Sequence, residues 1–313
     1  MIVVTGAAGF IGSNFVRHLN HYGYTNLILV DFDETANLLC RQDLQYLEFV
    51  PADVFFEWAG KYASQVDFVV HLGAQTDKDI NDYAVFKKWN VEYSQRIWSW
   101  ASQNHIPLIY ASSAETYGEG MTSCIDDDKA LYKLKPVSLC GRSKHEFDQW
   151  VQKQVSMPPF WYGLKFFNVF GPNEGQKLKN ASLVYQLVRQ IMTKQIATLL
   201  LVGGQEPLYD FVYVTDVTTV MMWLMNHFPA RGLYNVGTAY ARPLSVVAQS
   251  VFSTLKIQPQ VEFSENLTCP VLPSAGLYAD LSKLRKVNYK KSFLPLETSV
   301  RRLVKASLSK ENC

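Results

Sequence analysis

The first fourteen residues, MIVVTGAAGFIGSN, restrict the fold more than any other stretch. Residues 1–4 are apolar without alternation, so the strand they form is covered on both faces, as strands of parallel sheets are. Glycines at 6, 9 and 12 follow, and a helical pattern begins at residue 10. A strand that turns directly into a helix cannot reach its neighbour through a hairpin. The chain must cross over and return, and such crossovers build parallel sheets covered by helices.

The unit recurs. Apolar, β-rich runs at 26–30, 47–51, 67–73, 107–113 and 161–169 alternate with helical spacing at 10–22, 85–103 and 142–155. This predicts an α/β fold, a doubly wound parallel sheet of Rossmann type. After residue 168 the rhythm breaks into helical segments near 182–193, 216–226, 244–255 and 297–307, with short strands near 199–202 and 211–214. Residues 1–168 are expected to form the nucleotide-binding domain and residues 169–313 mainly a smaller substrate lobe, some segments of which return to the first domain.

The turn carries the first chemistry. Gly6, Gly9 and Gly12 have a GxxGxxG spacing that lets the backbone turn tightly and approach a pyrophosphate. The helix that starts at Phe10 and Ile11 aims its free N–H groups at that anion. The second strand ends in Asp31-Phe32, roughly 20 residues on, where a carboxylate can hydrogen-bond an adenosine ribose. Such a carboxylate repels a 2′-phosphate, and no basic residue follows until Arg41, so NAD is expected over NADP. Asp53 and Val54, after the third strand, are placed to meet adenine. Gly73 and Ala74, after the fourth, permit a ligand's close approach.

Composition narrows the partners. Net charge is +2, and 48% of residues are hydrophobic against 19% charged, so neither nucleic acid nor an anionic membrane is an expected partner. The longest apolar run, 196-IATLLLV-202, is strand-sized, and no secretory leader precedes the first strand, so a cytoplasmic location is expected. Five cysteines, at 40, 124, 140, 269 and 313, show no CxxC or Cys/His spacing, so neither a disulfide framework nor a metal site is expected.

Further motifs complete a pattern: HLGAQTD (71–77), YASSAETYG (110–118), GRSK (141–144), FFNVFGPNEG (166–175), DFVYVTDV (210–217) and YNVG (234–237). In this order, after TGAAGFIG, they resemble the extended short-chain dehydrogenase/reductases, specifically the nucleotide-sugar epimerases and dehydratases. The segment 166-FFNVFGPNEGQKLKNAS-182 is most similar to the ADP-glyceromanno-heptose 6-epimerases. The resemblance implies transient oxidation of a sugar carbon by bound NAD(P), return of the hydride to the opposite face, a homo-oligomer, and a place in lipopolysaccharide biosynthesis. It implies a nucleotide-diphosphate sugar as substrate.

By the same resemblance, Ser113 hydrogen-bonds the reacting hydroxyl, Lys144 binds the nicotinamide ribose and lowers its neighbour's pKa, and Lys177 is the base on the sugar's second face. Leu72, Asn90 and Val169 join the cofactor-binding set, and Asn168, Lys179, Gln186 and Tyr209 join the substrate-binding set.

The chain departs from the family where the chemistry is most demanding. Cys140 stands where the family has its catalytic tyrosine. A thiol is acidic enough, starting near ~8.5 against ~10 for a phenol, but its sulfur ends an aromatic ring short. Tyr209 stands where an arginine clamps the diphosphate, and Lys165 where arginine is common. Leu38 replaces a lysine of the adenosine-phosphate loop. Three readings follow: an epimerase weakened by Cys140, a catalytically silent NAD-binding paralogue serving as a structural or regulatory subunit, and a dehydratase or reductase on another nucleotide sugar.

Overall fold

The computed structural model describes residues 1–32, 43–118, 123–175, 180–265 and 276–311. β1 (Ile2–Thr5), buried along its length, leads through the glycine turn into α1 (Phe10–His21). β2 (Leu27–Asp31), β3 (Glu48–Pro51), α2 (Phe55–Tyr62) and β4 (Phe68–His71) follow. α3 (Tyr83–Phe86) and α4 (Tyr93–Gln103) are joined by a π-helical stretch, Lys87–Glu92. Then come β5 (Leu108–Ser113), β6 (Ser123–Cys124), α5 (Leu139–Val151) and β7 (Trp161–Phe166). The remaining elements are β8 (Asn168–Phe170), α6 (Leu183–Lys194), β9 (Ala197–Leu200), β10 (Leu208–Tyr213), α7 (Val214–His227), β11 (Gly232–Val236), β12 (Ala241–Pro243), α8 (Leu244–Leu255), β13 (Val261–Ser264), β14 (Tyr278–Ala279), α9 (Ser282–Lys286) and α10 (Leu296–Glu311).

Seven strands form one parallel sheet in the order β11-β7-β5-β4-β1-β2-β3. This is the doubly wound α/β fold that the opening strand and turn require. Successive residues feed cores on opposite faces: Val4, Leu29 and Val70 pack in one, Val3, Val30 and Val69 in the other. The strand order reverses between β1 and β4, and a crevice opens there at the carboxyl ends of the strands.

The two halves of the chain interleave. β11 pairs with β7 in the main sheet, and α7 packs on α1, where His18 Nδ1 lies 2.7 Å from Thr218 Oγ1. The smaller assembly comprises the β12-β10-β8 sheet and the β13-β9 pair, with α6, α8 and α10 closing a third core around Val188, Phe211, Val247 and Val300.

One local difference bears on the site. The spacing at 85–103 predicts a single helix, but residues 87–92 widen to a π turn. That turn rotates Asn90 into the interior, where it is fully buried.

Candidate functional site

The crevice is built first from backbone. Gly6 has φ +66°, and a Cβ there would lie 2.6 Å from Gly73 N, so the β1–α1 turn and the segment after β4 meet at a distance only glycine allows. A Cβ on Gly12 would lie 2.0 Å from Gly6 O, which fixes how closely α1 follows the turn. Gly9 caps α1 without a side chain, and no acidic residue occupies the first turn, so the positive end of the helix keeps its capacity for an anion.

Asp31 closes the opposite side. Its Oδ2 accepts the Ala8 N–H at 2.9 Å and its Oδ1 accepts the Phe32 N–H at 2.9 Å, which anchors the carboxylate against the glycine turn. A cavity here is lined by Gly6, Asp31, Phe32, Ala74, Trp89 and Tyr93. Phe32 and Trp89 meet edge to face, with centroids 4.3 Å apart. Asp53 and Val54 are exposed beyond β3, and it is Ala52 before them that lines the cavity.

Beneath the turn lies a buried polar chain that the sequence reading did not anticipate. Thr5 Oγ1 accepts the Gly73 N–H at 3.1 Å and lies 2.6 Å from His71 Nδ1, while His71 Nε2 lies 2.9 Å from Ser94 Oγ. Burial, aided by the positive charge of Lys144, lowers the His71 pKa to about 3, so the ring stays neutral. Leu72 packs against the core beside it.

At the carboxyl end of β5, Ser113 Oγ accepts the Glu115 N–H at 3.1 Å, a local cap on the turn that follows. Ser138 caps α5: its Oγ accepts the Gly141 N–H at 2.9 Å and donates to Glu115 Oε2. Neither Glu115 nor Ser138 was assigned from the sequence. Ser138, just ahead of the helix that carries GRSK, was the available signal. Cys140 is half-buried, with Sγ 3.9 Å from Gln75 O. Lys144, one turn on, is buried and donates from Nζ to Ala111 O at 2.8 Å. Burial lowers its pKa, while Cys140 and Asp148 pull it back up.

Several expected site residues have other work. Asn90, expected to touch the cofactor, is instead a buried tether: its Oδ1 accepts the Gln75 N–H at 2.7 Å, and its Nδ2 donates to Gln75 O at 3.0 Å and Ser143 Oγ at 2.9 Å. Tyr209, expected at the substrate, is 1% exposed in the third core with its ring against Phe211, because its position in β10 points it at α6 and α8. Lys165 is 1% exposed and pairs with Asp148 at 3.1 Å beneath α5. Asn168 donates to Asp210 O at 3.2 Å, and Val169 is half-buried on the core beside it. Gln186 is exposed on α6 and donates to Ala181 O at 2.7 Å. Lys177, Lys179, Leu38 and Arg41 lie outside the described residues.

An uncapped helix end and an anchored carboxylate beside it have the chemistry that the pyrophosphate and ribose of an adenine dinucleotide require. A family model described as "NAD dependent epimerase/dehydratase family" matches residues 2–237. The chain belongs to that family. The family's model spans both the glycine turn and the strand that returns to the main sheet.

Curated members of the family match over the full length. An ADP-L-glycero-D-manno-heptose-6-epimerase of Fusobacterium nucleatum is 33% identical over 100% of this chain and 99% of its own. The enzyme of the same name from Nitratidesulfovibrio vulgaris is 33% identical over 99% and 98%. Among solved structures, the ADP-L-glycero-D-manno-heptose-6-epimerase of Helicobacter pylori superposes with a TM-score of 0.83 at 24% identity, covering 97% of this chain and 95% of its own. A UDP-N-acetylglucosamine 4-epimerase from Methanobrevibacter ruminantium superposes with a TM-score of 0.84 at 20% identity, covering 99% and 98%. These two structures share the family's fold with this chain. Among the described residues, no helix is long and apolar enough to cross a membrane, and no cluster of His, Cys, Asp and Glu is arranged to hold a metal.

Proposed function

We propose that the chain is a nucleotide-sugar epimerase of the ADP-glyceromanno-heptose 6-epimerase type, slowed by Cys140. The observation that supports this is that the loop after β4, which meets the glycine turn at Gly73, also meets Cys140 through Gln75, while Lys144 on the same helix reaches β5 at Ala111, two residues before Ser113. The full-length relatives named as heptose epimerases support the substrate class proposed here.

NAD, when bound, would supply reversible hydride transfer at the sugar carbon. The chain's own residues do the rest. The end of α1 would hold the pyrophosphate, Asp31 the adenosine ribose, and Ser113 would orient the reacting hydroxyl. Lys144, one turn from Cys140, favours the thiolate as proton acceptor, and a water spans the distance a phenol would cover. Lys177 serves the second face. The test is direct: calorimetry with NAD and NADP, then NMR detection of epimerisation when the protein is given ADP-D-glycero-D-manno-heptose. NAD binding with slow epimerisation supports the proposal. NAD binding with none, at any enzyme concentration, removes it.

The second reading, a catalytically silent NAD-binding subunit, is favoured by one feature. Cys140 Sγ faces the protein carbonyl of Gln75 at 3.9 Å. That is where a thiol with no proton to move would rest.

A further inference from the structure

A continuous series of side-chain hydrogen bonds joins the smaller lobe to the helix that carries Cys140 and Lys144. Asn180 Nδ2 donates to Asp77 Oδ1 at 3.0 Å, and Asn180 Oδ1 accepts the Lys78 N–H at 3.4 Å. The Asp77 N–H donates to Gln75 Oε1 at 2.9 Å. Both backbone groups of Gln75 are held by Asn90, Asn90 donates to Ser143 Oγ, and Ser143 donates to Cys140 O at 2.7 Å. On the far side of Asn180, the buried carboxylate of Glu174 ties the Gly171 N–H to Ser182, the cap of α6.

The placement of this series is informative. Gly73 and Ala74 line the small cavity beside the glycine turn and Asp31, and Asp77 lies on the same loop. Asn180 stands two residues before Ser182, at the entrance to α6. Asn90, Gln75 and Ser143 bind the loop firmly to α5. Asn180 makes both links across the lobes in this series, to the half-buried Asp77 side chain and to the Lys78 N–H. A contact of this kind, if ligands favour its made form over its broken one, couples the two sites.

We propose that the Asp77–Asn180 clasp couples dinucleotide occupancy to sugar-nucleotide affinity. The inference rests on the functional reading above. A dinucleotide packed on Gly73 and Ala74 fixes the loop to Asp77, and the clasp passes that constraint to the start of α6. By linkage, a ligand held by the smaller lobe tightens the dinucleotide by the same factor.

The experiment is a reciprocal swap. NAD and ADP-glucose are each titrated calorimetrically, alone and with the other saturating, against the wild type, N180D, D77N and the double variant D77N/N180D. N180D sets two carboxylates against each other. D77N keeps the Oδ1 acceptor. The double variant restores a donor–acceptor pair with the donor now on residue 77. The wild type and D77N are expected to show each ligand tightening the other about 5-fold or more. N180D is expected to bind each ligand alone as the wild type does, with coupling below about 2-fold, and the double variant to recover the coupling. Coupling that persists in N180D, stays absent in the double variant, or is absent from a wild type that binds both ligands overturns the clasp. A wild type that binds no NAD removes the reading of the site itself, and the clasp with it.

Discussion

Lys144 and Asp148 stand on successive turns of one face of α5, yet they do not pair: Asp148 accepts from Lys165, and Lys144 donates to Ala111 O. The helix thus separates its two roles. Asp148 also accepts from Tyr110 at 3.1 Å and Ser112 at 2.7 Å, and Lys165 donates to Thr116 Oγ1 at 2.5 Å. This fully buried network fixes α5 to β5 and β7, and so fixes where Cys140 and Lys144 sit.

Breaking the ion pair from one side should therefore be costly. Lys165→Met leaves a carboxylate that is 0% exposed without its cation. Removing one partner of a buried pair costs about 3–5 kcal/mol. Urea unfolding is expected to show a loss of that order, and a loss below ~1 kcal/mol would show the pair to be dispensable.

Much of this arrangement was legible in the sequence, for a physical reason. The parallel strands are apolar on both faces, so the runs at 26–30 and 107–113 needed no tertiary information, and β2 and β5 lie there. The glycine turn was legible because a positive φ and a 2.6 Å approach leave one residue type. Asn90 was not legible. A π turn keeps the apolar spacing of a helix while rotating one polar residue inward. Tyr209 was misplaced because motif position carries no sign of which face of β10 the side chain takes. The return of β11 was hidden because the second half lacks the strand–helix rhythm that marks a crossover.

The turn's geometry predicts unequal effects of the same substitution. Gly6 and Gly23 both have positive φ, but a Cβ on Gly23 meets nothing within 4 Å, whereas one on Gly6 meets the Gly73 backbone. Gly23→Ala is expected to cost about 1–2 kcal/mol of conformational strain and to leave NAD binding intact. Gly6→Ala is expected to cost more and to abolish NAD binding, because turn and β4 loop must separate. Thermal unfolding and calorimetry on both variants check this; equal behaviour of the two would refute the role given to the close approach.

Acid should destabilise the fold through its buried histidines. Burial lowers the pKa of His71 from 6.5 to about 3, with Lys144 acting the same way, and burial also lowers His18 and His145. Below pH 6.5 the unfolded chain binds protons that the fold refuses, so stability present at neutral pH is lost as pH falls toward the folded values. Each such group adds up to about 1.4 kcal/mol per pH unit. Asp126 acts oppositely: burial raises it to about 6, so its protonated form favours the fold and its contribution grows as pH falls below 6. Because Asp126 also binds a proton near pH 6, the histidine contribution is read from the difference between wild type and variant in urea midpoints at pH 7 and 6. His71→Asn is expected to flatten that slope by up to one proton's worth, and an unchanged slope would assign the acid sensitivity elsewhere.

The last prediction concerns Cys140 itself. The Asn90–Ser143 tether, the Ser138 cap and the buried Lys144 all hold the start of α5 in place, and Cys140 lies among them half-buried rather than packed away. Cys140→Tyr is expected to raise epimerisation of ADP-D-glycero-D-manno-heptose by about 10²–10⁴-fold, the usual worth of a positioned acid–base group, with NAD affinity unchanged. Cys140→Ala separates the two functional readings. If the thiol relays a proton through water, alanine lowers the residual rate. If the thiol is inert packing, alanine leaves that rate unchanged while tyrosine still rescues. Failure of tyrosine to raise turnover, in a variant that binds NAD as the wild type does, would mean that the site handles a different sugar or none.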